Sequence, residues 1–259
     1  MSEETKSTPF MIFATQRTGS NWLMNMLDNH PAIASYDELL LLGGTGSDWG
    51  RPDLEFFEPY YARHRKHDHP FARAHWSFQY LDALYSSRRG TEAIGMKLMY
   101  DQLWHNPSVL IHMMRHRVRV VHLVRVNLLD ILLSEETAVA RQRPHAWEGD
   151  VVETPAVTLD PKKAASWLKT LERRVKIARC MLTLLPIKHF EVSYEHLMAN
   201  PSLVDDIVTF LDVSMPPNSP TLVSRFKKLN TCTKPDLIAN YAEIARALRG
   251  TRFERFLDE

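Results

Sequence analysis

The chain has 259 residues, 44% hydrophobic and 24% charged, with a formal net charge of +1. This is ordinary globular composition with apolar material for one sizeable α/β core, and the near-zero charge supplies no general field for nucleic acid. The two cysteines, Cys180 and Cys232, make no disulfide framework, no apolar run reaches the length of a membrane span, and Met1 to Pro9 is polar without a signal core, which together favour a cytoplasmic protein.

Residues 1–9 read as a flexible N-terminus and residues 10–259 as one domain. Phe10 to Ala14 is a short apolar run of strand length. Thr15 to Gly19 is a turn that holds Arg17, and Ser20 to Leu27 reads as a helix with Trp22, Leu23, Met26 and Leu27 on one face. A strand, a tight turn and a helix start bring free backbone N–H groups and the positive end of a helix dipole to one place. Gly19 lets the backbone approach an oxyanion closely, and Arg17, Thr18, Ser20 and Asn21 add donors suited to phosphate or sulfate oxygens. The blander alternative is a core strand and helix with an incidental arginine. The turn departs from the phosphate loop G-x-x-x-x-G-K-[ST]: Ser20 and Asn21 stand where the lysine and the magnesium-holding hydroxyl would be. ATP with magnesium therefore suits it poorly.

Asn29, His30 and Pro31 end the first helix, and Glu38 follows, either a solvated helix-start charge or a group aimed into the site. Gly43 to Pro52 reads as a loop, and Asp53 to Ser87 as helix broken at Pro70. His64, His67, His69 and His75 lie in mixed spacing without a zinc motif, and this segment is expected to wall an acceptor. Ala93 to Met99 reads as a strand carrying Lys97, an edge residue or an anion ligand. Val118 to Val124 is the clearest buried strand, and it delivers Arg125 to a strand's carboxyl end, where open parallel sheets bind ligands. Ser134 lies about two helical turns beyond Asn127.

Ala140 to Asp160, with Arg141, Arg143, His145 and Trp147, reads as a long loop or lid. Asp160 and Pro161 start a helix through Leu185 whose Ala165, Leu168, Leu171, Val175, Ala178 and Leu182 keep core spacing; Cys180 in the same helix is expected to be a small core residue. His189 to Ser193 is a strand, Tyr194 opens the helix around Ile207 to Leu211, and a last helix runs from Asp236 to Leu248 before Gly250. Strands alternating with helices imply a three-layer α/β fold with a mainly parallel central sheet. The anion loop and Arg125 should then share one edge of that sheet.

At this point the sequence resembles the sulfotransferases that use 3'-phosphoadenosine 5'-phosphosulfate (PAPS), above all their bacterial carbohydrate- and lipid-modifying branch. Gln16 to Trp22 matches the loop that binds the 5'-phosphosulfate in that family, with Arg17 where cytosolic members carry lysine. Arg125, Asn127, Leu128, Leu129 and Ser134 match the 3'-phosphate motif in which the arginine and serine bind the phosphate. The stretch His30 to Leu39 is similar to a segment that places a glutamate as base, and Gly95 to Lys97, Tyr194 to Leu197 and Lys234 through Tyr241 are similar to recurring family segments.

The resemblance implies a P-loop-like nucleotide-binding fold. It implies transfer of a sulfuryl group from PAPS to a hydroxyl or amine of a small-molecule, sugar or lipid acceptor, with no metal required. Catalysis would rest on Glu38 as base, His75 as second choice, and Arg17. The donor would be held by Arg17, Thr18, Gly19, Ser20, Asn21, Trp22, Arg125, Ser134 and Tyr194, with Thr233 and Lys234 as C-terminal candidates. The alternatives are a small-molecule or nucleoside kinase on the same strand–loop–helix, and a non-catalytic nucleotide-binding module. A homodimer stays open.

Overall fold

The computed structural model describes residues 7–44, 47–48, 51–65, 71–87, 90–141, 154–214, 222, 224 and 232–258. In chain order these form β1 (Thr8–Ala14), α1 (Ser20–Asp28), β2 (Ile33–Tyr36), β3 (Ser47–Asp48), β4 (Arg51–Glu55), α2 (Phe57–His64), α3 (Ala72–Ser86), β5 (Ala93–Met99), α4 (Tyr100–His105), α5 (Ser108–Arg115) and β6 (Arg119–Val124). There follow α6 (Leu128–Arg141), α7 (Pro161–Leu184), β7 (His189–Ser193), α8 (Tyr194–Ala199), α9 (Leu203–Phe210), α10 (Lys234–Leu237), α11 (Tyr241–Leu248) and a 3-10 turn at Glu254–Leu257.

The central sheet has the order β2-β5-β1-β6-β7, and all its pairs are parallel. A parallel sheet covered on both faces needs strands apolar on both sides, which is why β1, β5 and β6 read as continuous apolar runs. In β1 the side chains alternate between two cores. Met11 and Phe13 pack with Leu81, Leu84, Val109 and Leu182 beneath α3, α5 and α7. Phe10, Ile12 and Ala14 pack with Leu23, Leu27, Ile207 and Val208 from α1 and α9. A third cluster joins α6 to the start of α7, α11 and Phe256. The fold is thus α/β with helices on both faces of a mainly parallel sheet, as the alternation of elements predicts.

β1 starts two residues earlier than its apolar run, so Thr8 and Pro9 belong to the sheet and not to the flexible N-terminus expected of them. Proline cannot donate to a ladder. Pairing with β6 begins only at Phe10, which leaves Pro9 at the end of that ladder. Gly95 in β5 is required by close approach: a Cβ there would lie 2.4 Å from the Phe10 carbonyl oxygen.

Other departures have local causes. β2 was not expected; its four residues are all buried and pair with β5. β4, Arg51–Glu55, takes Arg51 and Pro52 out of the expected loop and Asp53 to Glu55 out of the segment expected to be helical. The last helix is interrupted because Ile238 makes a parallel bridge with Val157, with Val157 N–H donating to Leu237 O at 2.8 Å and Ala239 N–H to Val157 O at 2.9 Å. Cys180 is exposed, contrary to expectation. The buried positions of α7 are Ala164, Leu168, Leu171, Val175, Ala178 and Leu182, and a residue two steps beyond Ala178 falls on the opposite side of a helix. The start of α7 is as expected: Asp160 accepts from the amides of Lys162 (2.9 Å) and Lys163 (3.1 Å) ahead of Pro161. His67, His69, Arg143, His145 and Trp147 lie outside the described residues, as does most of the expected lid.

His122 sits wholly buried in β6 between two partners. Its Nε2 accepts from the Tyr100 hydroxyl at 2.7 Å and its Nδ1–H donates to Glu191 at 2.9 Å. The neutral ring satisfies both, since a carboxylate can only accept. Burial outweighs the pull of Glu191 and lowers the His122 pKa to about 4 from 6.5. The unfolded chain therefore takes up a proton that the folded chain refuses, and stability present above pH 6.5 drains away as pH falls towards 4. Unfolding free energies for the wild type should drop more steeply across that window than those of His122→Phe, by on the order of 3 kcal/mol. Parallel profiles would show that His122 titrates normally.

Candidate active site

Each strand of the central sheet delivers chemistry at its carboxyl end. Glu38 follows β2, Lys97 lies two residues before the end of β5, Arg17 follows β1, Arg125 follows β6 and Tyr194 follows β7. The chain goes from β1 to one side (β2, β5) and then to the other (β6, β7), so the crevice beside β1 is the switch point where open α/β sheets bind ligands.

The turn after β1 is held by special backbone geometry. Arg17 has φ 63° and Gly19 φ 86°, both left-handed. A Cβ on Gly19 would lie 2.4 Å from Tyr194 Cδ2, so glycine is needed for conformation and for space. Thr18 is buried and its hydroxyl donates to Thr15 O at 2.8 Å, which ties the turn to itself. No side chain caps α1, and the amides of its first turn have no intrahelical acceptor. Ser20 is buried at that start, while Trp22 packs against the core below α1.

The β5 side carries the carboxylate. Lys97 is only 2% exposed and lies between β2 and β1, so it is no edge residue. Its Nζ contacts Asn21 Oδ1 and Asp37 Oδ1 and lies 3.4 Å from Glu38 Oε1. Gln102 Nε2, from the first turns of α4, donates to Glu38 Oε2 at 2.9 Å. Burial raises the Glu38 pKa, Lys97 pulls it back and Asp37 adds to the rise. Glu38 is thus a fixed carboxylate beside the start of α1. His75 is exposed on α3 with its ring against Trp76, and no described contact joins it to Glu38.

The β6 side carries the cations. Arg17 Nε donates to Ser134 Oγ at 3.0 Å, so the loop arginine reaches across to α6. Arg125 donates to Arg17 O (3.2 Å) and Asp130 Oδ2 (2.9 Å), and its guanidinium lies 4.9 Å from the centre of the Tyr194 ring. Lys234 Nζ is 3.6 Å from Asp130 Oδ1, which brings the C-terminal segment to the same place. Thr233 instead bonds Asp236 at the start of α10. Asn127 caps α6, its Oδ1 accepting from Asp130 N–H at 3.2 Å, and its Nδ2 holds Phe256 O at 3.1 Å. Glu195 takes the Val126 and Asn127 amides at 3.0 and 3.2 Å, so that helix start is already occupied by a carboxylate.

A cavity of about 770 Å³ opens between the ends of β6 and β7. Asp130, Glu191 and Glu195 face Arg125 and Arg179 in its wall, so negative charge has little net attraction there. Positive charge concentrates next to it. Burial, then Arg141, then Arg125 depress the Arg17 pKa, with Glu135 opposing. Arg125 Nε is buried with no hydrogen-bond partner among the described residues, its distance to Glu195 Oε1 being 4.0 Å. Crowded guanidiniums with unmet donors suit an anion.

Asp82, His112 and His116 form a group of metal-ligand type elsewhere. The two imidazoles stack with centroids 4.1 Å apart and planes 13° apart, and their Nε2 atoms lie 2.9 and 3.4 Å from Asp82 Oδ1, so this carboxylate already engages both rings.

The chain matches the profile described as Sulfotransferase family over residues 9–217. It belongs to that family. The sulfotransferase is 24% identical over 254 residues to nodulation protein H of Rhizobium tropici, covering 96% of this chain and 93% of that protein. Solved structures similar to it include a sulfotransferase from Alicyclobacillus acidocaldarius, with 15% identity, TM-score 0.49, and 97% and 96% of the two chains covered. The sulfotransferase domain from the curacin biosynthetic pathway shares 16% identity with TM-score 0.48, over 97% and 89% of the two chains. A mouse sulfotransferase, SULT7A1, complexed with PAP, shares 11% identity with TM-score 0.47, over 97% and 87%. Membership makes this chain a transferase of sulfuryl groups. Among the described residues no helix is long and apolar enough to cross a membrane.

Proposed function

We propose that the sulfotransferase takes its sulfuryl group from PAPS and passes it to a hydroxyl or amine of a small-molecule, sugar or lipid acceptor, with Glu38 as base. The observation that carries this reading is the pairing of a fixed, partly buried carboxylate with an uncapped helix start, bridged by Lys97. PAPS supplies an activated sulfuryl group on its 5'-phosphate. The residues of the β1 turn, with Arg125, Ser134, Tyr194 and Lys234, would hold its phosphates.

Glu38 would accept the acceptor's proton as the acceptor oxygen bonds to sulfur. The bond from sulfur to the bridging phosphate oxygen breaks, and its electron pair leaves with adenosine 3',5'-bisphosphate. The amides of α1 and the Lys97 ammonium would stabilise the negative charge that grows on the bridging oxygen, since fixed donors favour such a transition state. Gln102 and Lys97 hold the carboxylate in one orientation. Asp37, Lys97 and Gln102 make the surroundings of Glu38 polar, and a polar acceptor would suit them.

The pH profile of turnover tests the base. Glu38 must be ionised to accept a proton, so the rate should fall as pH drops through a pKa above 4.5. Lys97 lowers that pKa, so Lys97→Met should move the acid limb to higher pH, whatever it does to the maximum rate. An acid limb at the same pH in both proteins would remove Glu38, or its link to Lys97, from the mechanism.

A further inference from the structure

Arg141 has no part in the chemistry described so far. It ends α6, seven residues after Ser134 and therefore on the same face, about two turns on. A cation at a helix C-terminus ordinarily reaches outward to the last carbonyls. Arg141 folds back instead. Its Nε donates to Thr137 O at 3.1 Å and its Nη2 to Thr137 Oγ1 at 3.2 Å, which places the guanidinium a turn nearer to Ser134. Arg17 already reaches Ser134 from the other side at 3.0 Å. The two guanidiniums are close enough that Arg141 is the foremost charge depressing the Arg17 pKa.

Like charges held together in a half-buried place need a counter-charge. Glu135 supplies part of one to Arg17. Arg141 Nη1 remains buried with no hydrogen-bond partner among the described residues, and so does Arg125 Nε. Two buried guanidinium donors without hydrogen-bond acceptors, one on Arg125 beside the Arg17 carbonyl and one on Arg141 on the Ser134 face of α6, are what a phosphate with several free oxygens would satisfy. This face of α6 lies across Arg17 from the Glu38, Lys97 and Asn21 group, so it is remote from the reacting end of the donor.

We propose that Arg141 is a further ligand of the donor's 3'-phosphate, its Nη1 donating to a phosphate oxygen that Ser134 and Arg125 also hold. The proposal rests on the PAPS reading above. Thr137 acts as a positioning residue that turns the guanidinium back along the helix.

Calorimetric titration of the full chain with adenosine 3',5'-bisphosphate and with adenosine 5'-phosphate tests it, in the wild type, Arg141→Gln and Arg141→Lys. Arg141→Gln should weaken the bisphosphate roughly 10- to 100-fold and the monophosphate less than about threefold. Arg141→Lys keeps the charge without the fork and should fall between them. Wild-type affinity for the bisphosphate in Arg141→Gln would overturn the proposal, and so would an equal loss for both nucleotides, which would place Arg141 at the 5' end. Failure of the wild type itself to bind bisphosphate would overturn the PAPS reading, and this assignment with it. That titration therefore tells the two failures apart.

Discussion

Glu38→Gln should lower turnover by about a hundredfold to ten-thousandfold, the range for removing a positioned general base, and leave bisphosphate affinity within about threefold. The split follows from geometry. An amide has the shape of the carboxyl group and can still accept from Gln102, so the contacts at Oε2 survive. It cannot take a proton from an attacking hydroxyl. The nearest cation, Lys97, keeps Asn21 and Asp37 as partners, so the start of α1 should hold its form. Single-turnover rates beside calorimetric affinities check both halves. A fully active Glu38→Gln enzyme would move the base elsewhere, and His75, exposed on α3, would have to be brought to the site by motion of that helix.

Arg125→Ala should weaken bisphosphate binding by about 1.5–3 kcal/mol, the scale of a hydrogen bond to a charged group. Arg125 also fixes the Arg17 carbonyl and lies over Tyr194, whose ring fills the space beside Gly19. Its loss should therefore loosen the β1 turn as well as remove a phosphate donor. Asp130 keeps Lys234 at 3.6 Å and is partly exposed, so no carboxylate is stranded in the core. Unchanged bisphosphate affinity, in a variant with wild-type thermal stability, would mean that the 3'-phosphate lies elsewhere.

How much of this the sequence reveals depends on whether a feature is local. β1, its turn and α1 were legible because a doubly covered strand is an apolar run and a helix start has its own signature. The end of β6 with Arg125 is legible for the same reason, whereas β7 is a partly exposed edge strand and Tyr194 is legible from the helix that it opens. β2 was not: Ile33 to Tyr36 is short and follows a proline, and it is a strand only because β5 lies beside it. Missing β2 left Lys97 readable as an edge residue. With β2 outside β5, that lysine is interior and must find carboxylates.

Of the partners of Glu38, Lys97 stands out in the sequence as a possible anion ligand, but Gln102 has no signal. Gln102 is 64 residues from Glu38 in the numbering and meets it only through the fold. Arg17 was legible as a donor but not in its direction; a left-handed arginine, sending its side chain to Ser134, is a tertiary outcome. Cys180 failed for a simpler reason, since the helical period around Ala178 and Leu182 already puts it outside.

The most direct test of donor use is calorimetric titration with adenosine 3',5'-bisphosphate in EDTA, beside ATP with magnesium. Tight bisphosphate binding without metal, with weak ATP binding, is the predicted result. Magnesium-dependent ATP binding with no bisphosphate binding would contradict it and assign the β1 turn to phosphoryl chemistry.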